Sequence, residues 1–337
     1  MGEPGSHSFP TLGGDDGEAA MRIAVLDDYA DTFRTLGCAR RLEGHEVVAF
    51  TDSVRGEALV ERLDGFDAVV LLQQRTALPR EVVQRLATVR LVSQTGRSTA
   101  HLDLAALAEA GIVVSAGGAG GPGATAELTW GLILSASRHL PDEVARLRSG
   151  QWQGSVGTGL EGAVLGVYGL GRIGSRVAAV GPAFGMTVLC WGREGTAAAA
   201  REAGYAVAPS REGFFETTDV LTLHLPLTDA TRGIVTRADL DRMKPDALLV
   251  NTSRSGVVEA GALEAALRAG RPGRAAVDVF DDEPVLDASD PLVRLPTVTA
   301  TPHLGYVTTE VLERLWGAAV DQVLAFAAGH PVDVVTD

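Results

Sequence analysis

Three polar residues stand in loops late in the chain, each just after an apolar run. They are Arg254 in Val250-Asn251-Thr252-Ser253-Arg254-Ser255-Gly256, Glu283 in Asp278-Val279-Phe280-Asp281-Asp282-Glu283-Pro284, and His303 in Thr301-Pro302-His303-Leu304-Gly305. An arginine can grip a carboxylate through its planar fork, and a histidine can pass a proton near neutral pH. A carboxylate beside that histidine fixes its tautomer and favours its charged form. Taken singly, each residue also has a plain structural reading: a surface ion-pair partner, a helix-start acid, a satisfied structural histidine. Ahead of them lies Gly169-Leu170-Gly171-Arg172-Ile173-Gly174, directly after the apolar run Val164-Leu165-Gly166-Val167-Tyr168 and opening an apolar-periodic segment. That is the setting a dinucleotide fingerprint needs. Gly169 allows the tight turn, Gly171 lets backbone amides approach a pyrophosphate, and Gly174 permits close packing of helix on strand.

The next apolar run, Thr187-Val188-Leu189-Cys190-Trp191, leads into Gly192-Arg193 with no carboxylate at its tip. An acid there would hydrogen-bond the ribose hydroxyls of NAD. Replacing it with an arginine is the charge change expected for a ribose 2′-phosphate, which tilts the balance to NADPH. In the other reading Arg193 is a solvated loop residue and NADH binds without the acid.

The elements that must position these groups follow from the apolar pattern. Runs at 22–26, 46–50, 68–72, 90–93 and 112–115 are short, β-branched and separated by helix-like segments. A second series occupies 163–168, 187–191, 220–223, 248–251, 275–279 and 297–300. Near-continuous apolar strands alternating with helices predict parallel sheets covered on both faces, the second with six strands. Between the series, Gly117-Gly118-Ala119-Gly120-Gly121-Pro122-Gly123 is either an ordinary loop or a hinge, and a helix is predicted from about Thr125 to Leu140. The segment Thr308–Ala328 reads as a terminal helix ending at Gly329. Residues 1–20, rich in Gly, Pro, Asp and Ser, read as a disordered tail, with Met21 a possible start.

Composition narrows the classes. A length of 337 residues suits two domains, and 46% hydrophobic with 21% charged residues provides sizeable cores and too little charge for disorder. A formal net charge of -14 offers no overall attraction to nucleic acid or to anionic membranes. Two cysteines, Cys38 and Cys190, give neither a disulfide framework nor a four-ligand zinc site, so no metal is expected and a reducing, cytoplasmic setting is. The sole lysine, Lys244, precedes an apolar strand in a loop-like spot and reads as solvated. HExxH, CxxC, GxSxG and P-loop patterns are missing from the sequence.

In combination the chain resembles the D-isomer-specific 2-hydroxyacid dehydrogenases, the family of D-glycerate, glyoxylate and hydroxypyruvate reductases and phosphoglycerate dehydrogenase. The carriers of the resemblance are GLGRIG at 169–174, HLPLT at 224–228, MKPDALLVNTSR at 243–254, AVDVFDDEP at 276–284 and TPHLGY at 301–306, and it covers about residues 21–330. The resemblance implies an α/β chain of two doubly wound parallel-sheet domains. One is a flavodoxin-like substrate domain (21–121 with 304–337), and the other an inserted Rossmann NAD(P)-binding domain (122–303). It also implies a homodimer and a small 2-oxo or 2-hydroxy acid as substrate. Arg254 would then grip the substrate carboxylate and polarise the 2-oxo group, His303 would supply the proton, and Glu283 would orient His303. Hydride arriving at C2 builds alkoxide character that the arginine and a protonated histidine both stabilise.

The same resemblance places Arg172, Ile173, His224, Pro226, Thr252, Ser253, Asp278 and Gly305 beside the cofactor, with Asp278 near its carboxamide. It gives Gly96, Arg97 and Ser98 the substrate carboxylate through backbone amides, and lets Arg75 discriminate anionic or hydroxylated substrates. Ser98 stands where the family has a second glycine, and Ser255 where it commonly has one. Trp316 either walls the pocket or packs in the core, the latter being favoured. Two rivals stay open. One is a cofactor-sensing binding protein of corepressor type; the other is a relative acting on phosphite- or formate-like donors, against which Glu283 counts.

Overall fold

A computed structural model describes residues 20–118 and 120–335. The expected tail lies outside these apart from Ala20, as does Ala119 within the glycine-rich stretch. The chain divides into two units, one made of Met1–Gly120 with Thr308–Asp337 and the other of Gly121–Val307.

The first unit is built on five strands: β1 (Arg22–Val25), β2 (Glu46–Ala49), β3 (Ala68–Leu71), β4 (Leu91–Thr95) and β5 (Val113–Gly117). They pair in parallel in the order β2-β1-β3-β4-β5, a doubly wound arrangement whose order reverses between β1 and β3. All four residues of β3 and all five of β4 are buried, as strands covered on both faces must be. The terminal helix Thr309–Ala327 packs onto this unit, with the Thr308 hydroxyl accepting from Val311 N at its start. Trp316 on that helix is buried and meets Phe33 edge-on at 5.4 Å, so it belongs to the core.

The second unit carries seven strands: β6 (Val164–Tyr168), β7 (Thr187–Trp191), β8 (Ala206–Val207), β9 (Val220–Leu223), β10 (Leu248–Asn251), β11 (Arg274–Val277) and β12 (Val298–Ala300). Their order is β12-β11-β10-β9-β6-β7-β8, again parallel throughout. The seventh strand, β8, is a two-residue edge strand too short to leave an apolar run, which is why the sequence suggests six. The helix predicted from about Thr125 to Leu140 is observed as Pro122–Arg138, and a second helix that the sequence reading did not include, Leu140–Arg148, follows it after His139 with φ +52. Pro141 explains the break, since its ring and missing N–H cannot continue a helix from the preceding turn. Trp130 on the first of these helices stacks on Phe184 at 4.9 Å and donates through Nε1 to the Val177 carbonyl.

Lys244 is not simply solvated. Its Nζ lies 2.6 Å from Asp219 Oδ1, while Asp219 Oδ2 accepts from Val164 N at the start of β6. The pair is about one-third exposed and its function is to tie the start of one strand to the loop ahead of another. Among the described residues no helix is long and apolar enough to cross a membrane.

Candidate active site

In open α/β sheets ligands gather at the carboxyl ends of the strands, where the strand order reverses. In the second unit that reversal falls between β6 and β9, and the glycine loop follows β6 while His224 follows β9. The backbone joins the two, His224 N donating to Tyr168 O, and ties the loop to the end of β7 through Gly169 N and Trp191 O. Gly169 has φ +93, and a Cβ there would sit 2.6 Å from the His224 carbonyl oxygen. A Cβ on Gly174 would run into the Gly169 carbonyl. A Cβ on Gly171 would meet nothing within 4 Å. Two of the glycines are therefore demanded by the protein's own packing, whereas Gly171 opens onto free space, as a cradle for a ligand requires.

His224 adds a second sign of a ligand site. Its Nε2 is buried with no hydrogen-bond partner among the described residues, and burial pushes the imidazole down to about 4. Its Cβ stands 3.3 Å from the position a Gly174 Cβ would take, so the unpaired nitrogen belongs to the wall of the glycine loop. Pro226 follows, its carbonyl accepting from the Thr231 hydroxyl at 2.5 Å. At the tip of β7, Gly192 is packed against Thr196, and Arg193 is exposed as the residue before the Glu194–Glu202 helix. Arg172 is likewise exposed, and Ile173 precedes the Gly174–Val180 helix.

Moving outward from the reversal, β10 delivers Arg254. Asn251 at its end organises the loop: Oδ1 accepts from Ser253 N (3.0 Å) and Ser253 Oγ (2.8 Å), and Nδ2 donates to the Arg254 carbonyl (2.9 Å). Arg254 is half-buried with Nη1 2.7 Å from Ser253 O. Thr252 is buried, its hydroxyl 2.8 Å from that of Thr129 on the Pro122–Arg138 helix. Ser255, in the place of a commoner glycine, turns its hydroxyl to the Phe280 carbonyl at 3.0 Å.

The next strands out bring the other two groups together. Glu283 Oε1 accepts from Phe280 N at 2.9 Å and Oε2 lies 2.7 Å from His303 Nδ1, with each side chain less than one-fifth exposed. His303 has φ +54, a left-handed conformation that costs a residue carrying a side chain about a kilocalorie per mole. Asp278, fully buried at the end of β11, holds the turn in that shape. Its Oδ1 accepts from Thr301 Oγ1 (2.7 Å) and Leu304 N (2.6 Å), and its Oδ2 from Gly305 N (2.8 Å). Burial raises the Asp278 carboxyl above its usual range, opposed by these donors and by the His303 charge. The Gly305 carbonyl in turn accepts from Thr125 Oγ1 at 2.7 Å.

The remaining expected residues sit in the first unit. Gly96 follows β4 with φ +87 and donates to the Gly117 carbonyl at 2.7 Å. Arg97 and Ser98 are exposed after it, and Ser98 lacks a left-handed φ, so serine fits where the glycine was expected. Arg75 N closes a turn onto Leu72 O just after β3. Its charge reaches Asp27, a buried carboxyl at φ +62 bonded to the hydroxyls of Ser53 and Thr76. Burial raises Asp27, and those hydroxyls and Arg75 oppose the rise.

Residues 130–305 match the family model described as D-isomer specific 2-hydroxyacid dehydrogenase, NAD binding domain. The chain is 36% identical over 287 residues to a glyoxylate reductase of Aeropyrum pernix, covering 81% of this chain and 83% of that one. The chain belongs to the D-isomer-specific 2-hydroxyacid dehydrogenases. Against the D-3-phosphoglycerate dehydrogenase of Methanocaldococcus jannaschii it is 32% identical over 283 residues, covering 83% of this chain and 53% of that one. It thus spans about half the length of the D-3-phosphoglycerate dehydrogenases it matches. Among solved structures, a phosphoglycerate oxidoreductase from Vibrio cholerae superposes with a TM-score of 0.88 at 46% identity, covering 91% of this chain and 99% of that one. For this D-2-hydroxyacid dehydrogenase relative, the matched NAD-binding domain is the part that holds the glycine loop, Arg254, Glu283 and His303.

Sequence reasoning missed Asn251, Thr125 and Thr129. An Asn at a strand end followed by Thr-Ser is the signature of a side chain that bonds its own backbone two residues on, so Asn251 had a readable signal. The two threonines had none, because their partners Thr252 and Gly305 lie far along the chain.

Proposed function

We propose that the protein reduces a small 2-oxo acid to the D-2-hydroxy acid with a reduced nicotinamide cofactor, reversibly. The observation that carries the reading is the 2.7 Å His303–Glu283 pair, on the same carboxyl edge as a glycine loop whose middle glycine opens onto free space. Gly169, Gly171, Gly174, His224, Pro226, Thr252, Ser253 and Gly305 would hold the cofactor, which supplies hydride to C2 of the acid. The chain's own groups do the rest. Arg254 grips the substrate carboxylate and polarises the 2-oxo group. His303 delivers a proton from Nε2 to the oxygen that becomes the hydroxyl, and Glu283 holds Nδ1 so that Nε2 is the atom left to exchange it. Asp278 keeps one lone pair of Oδ2 after its three hydrogen bonds, enough to accept from a carboxamide. With the Gly96 amide given to the Gly117 carbonyl, the amides of Arg97 and Ser98 would take the carboxylate, and Arg75 would read the substituent beyond C2.

NADPH is the favoured reductant. No carboxylate stands at the tip of β7, Arg193 is exposed there, and the Thr196 hydroxyl lies beside Gly192, a set suited to a 2′-phosphate. A second copy of the chain is the proposed partner. Leu140, Val144 and Leu147 form an exposed apolar stripe at helical spacing, and Trp152 and Val156 follow at 75% and 94% exposure. Sedimentation giving the mass of a monomer would overturn that assignment. The buried, unpaired Cys38 and Cys190 fit the reducing cytoplasm.

The test is oxidation of NADPH and NADH in parallel by purified protein against glyoxylate, hydroxypyruvate, pyruvate and bulkier 2-oxo acids. Turnover with NADPH preferred is expected. Turnover preferring NADH makes Arg193 a bystander, and cofactor binding with no turnover of any acid refutes the reductase in favour of a sensing role.

A further inference from the structure

We infer that Tyr306 is a positioning residue for His303, its ring forming the wall that keeps the imidazole seated against Glu283. The inference rests on the reading of His303 as proton donor. The two rings meet edge to face, with centroids 5.7 Å apart and planes at 69°. Among the described residues the imidazole's side-chain hydrogen bond is the one from Nδ1 to Glu283, and a hydrogen bond at one corner leaves a ring free to tilt about that corner. Packing adds a second restraint, and the Tyr306 ring supplies it.

Tyr306 can do so because its own backbone is fixed on both sides. Leu304 N and Gly305 N donate to Asp278, the Gly305 carbonyl accepts from Thr125, and Val307 N closes the turn onto Leu304 O. A Cβ on Gly305 would come within 3.2 Å of Asp278 Oδ2 and 3.4 Å of Thr125, so the residue ahead of Tyr306 has little room to shift. The half-buried tyrosine is thereby carried one residue beyond a doubly anchored glycine, and its ring is returned onto the histidine three positions earlier. With Nδ1 engaged and the ring packed, the imidazole presents Nε2 in one orientation. Proton transfer is steep in that orientation, so a tilt lowers turnover without weakening substrate binding.

The test compares Tyr306→Ala with Tyr306→Phe in the full-length protein. An aromatic pair of this kind corresponds to a fall in kcat of about three- to tenfold in the alanine variant, with KM within about twofold, and phenylalanine should recover most of the loss. Independently of turnover, the Nδ1 proton resonance of His303, assigned by its loss in His303→Gln, should be sharp in wild type and Tyr306→Phe and broadened in Tyr306→Ala. This second readout stands even if no 2-oxo acid is reduced. Unchanged kcat and resonance in Tyr306→Ala overturn the inference. So does a phenylalanine variant as slow as the alanine one, which would give the role to the hydroxyl, or a raised KM at constant kcat, which would make Tyr306 a substrate contact.

Discussion

Glu283→Gln is the sharpest perturbation of the proposed chemistry, because it preserves shape and removes one acceptor. One carboxylate oxygen accepts from Phe280 N–H at 2.9 Å and the other from His303 Nδ1–H at 2.7 Å. A glutamine amide has one oxygen and one NH2, so in either orientation one of the two N–H groups loses its acceptor and meets another donor. If the NH2 turns to His303, Nδ1 must become the acceptor and the tautomer is reversed. If it turns to Phe280, a backbone N–H in a part-buried loop is left unpaired. The bond at stake joins a carboxylate to an imidazole that is charged in the active form, worth about 1.5–3 kcal/mol, and both side chains are less than one-fifth exposed, so water screens little of it. Expressed in the transition state, that is a fall in kcat/KM of about ten- to a hundredfold. The assay is steady-state reduction of the best 2-oxo acid at saturating cofactor, with cofactor Kd and Tm measured on the same preparation. A variant that is folded, binds cofactor normally and retains kcat/KM within twofold would refute the role given to Glu283.

Three further outcomes test other parts of the site. Gly171→Val should weaken cofactor binding by about tenfold or more with Tm unchanged, since its side chain would enter open space, whereas Gly174→Ala should lower Tm because its Cβ meets the Gly169 carbonyl; calorimetry and thermal melts separate the two, and equal effects on Tm would refute the assignment. Asp278→Ala removes three hydrogen bonds from the His303 turn, so it should cost about 3 kcal/mol of stability and most of the activity, while Asp278→Asn, which keeps an acceptor for Thr301 and Leu304, should lose less; an alanine variant as stable as wild type in denaturant titration contradicts the anchor. Burial holds His101 and His224 at about 4 against an ordinary 6.5, so the unfolded chain takes up protons that the folded one refuses. Their contribution is complete above about pH 6.5 and is lost as pH falls towards 4, by about 3 kcal/mol for each; denaturant midpoints that stay level between pH 7 and 5 would refute it, and His101→Leu should flatten the curve.

Much of the fold is legible because a parallel sheet covered on both faces writes each strand as an apolar run. β3 and β9, with every residue buried, appear in the sequence within a residue of their observed ends. What is not legible is what a run cannot encode. β8 has two residues and no periodicity, and the Leu140–Arg148 helix, beyond the end expected for the one before it, buries none of its residues. The pairing of Lys244 with Asp219 is equally silent, since the two are brought together by adjacent strand starts rather than by spacing.

The candidate site divides along the same line. Arg254, Glu283 and His303 could be named because each carries chemistry in its side chain and stands just past a strand. The residues that give them geometry were given another role or passed over, because their chemistry is spent on backbone. Asp278 was assigned to the cofactor by resemblance, yet three of its four lone-pair positions are filled by the turn that holds His303 left-handed, so its first debt is to the histidine. Asn251 does for Arg254 what Asp278 does for His303, taking two donors from Ser253 and giving one to the Arg254 carbonyl. Both anchors sit at the last residue of a strand or just after it, where the sheet is most rigid and the loop begins. A loop fixed at that point by one side chain can present a reactive group with little conformational freedom, which is the condition for proton transfer that a flexible loop would fail to meet.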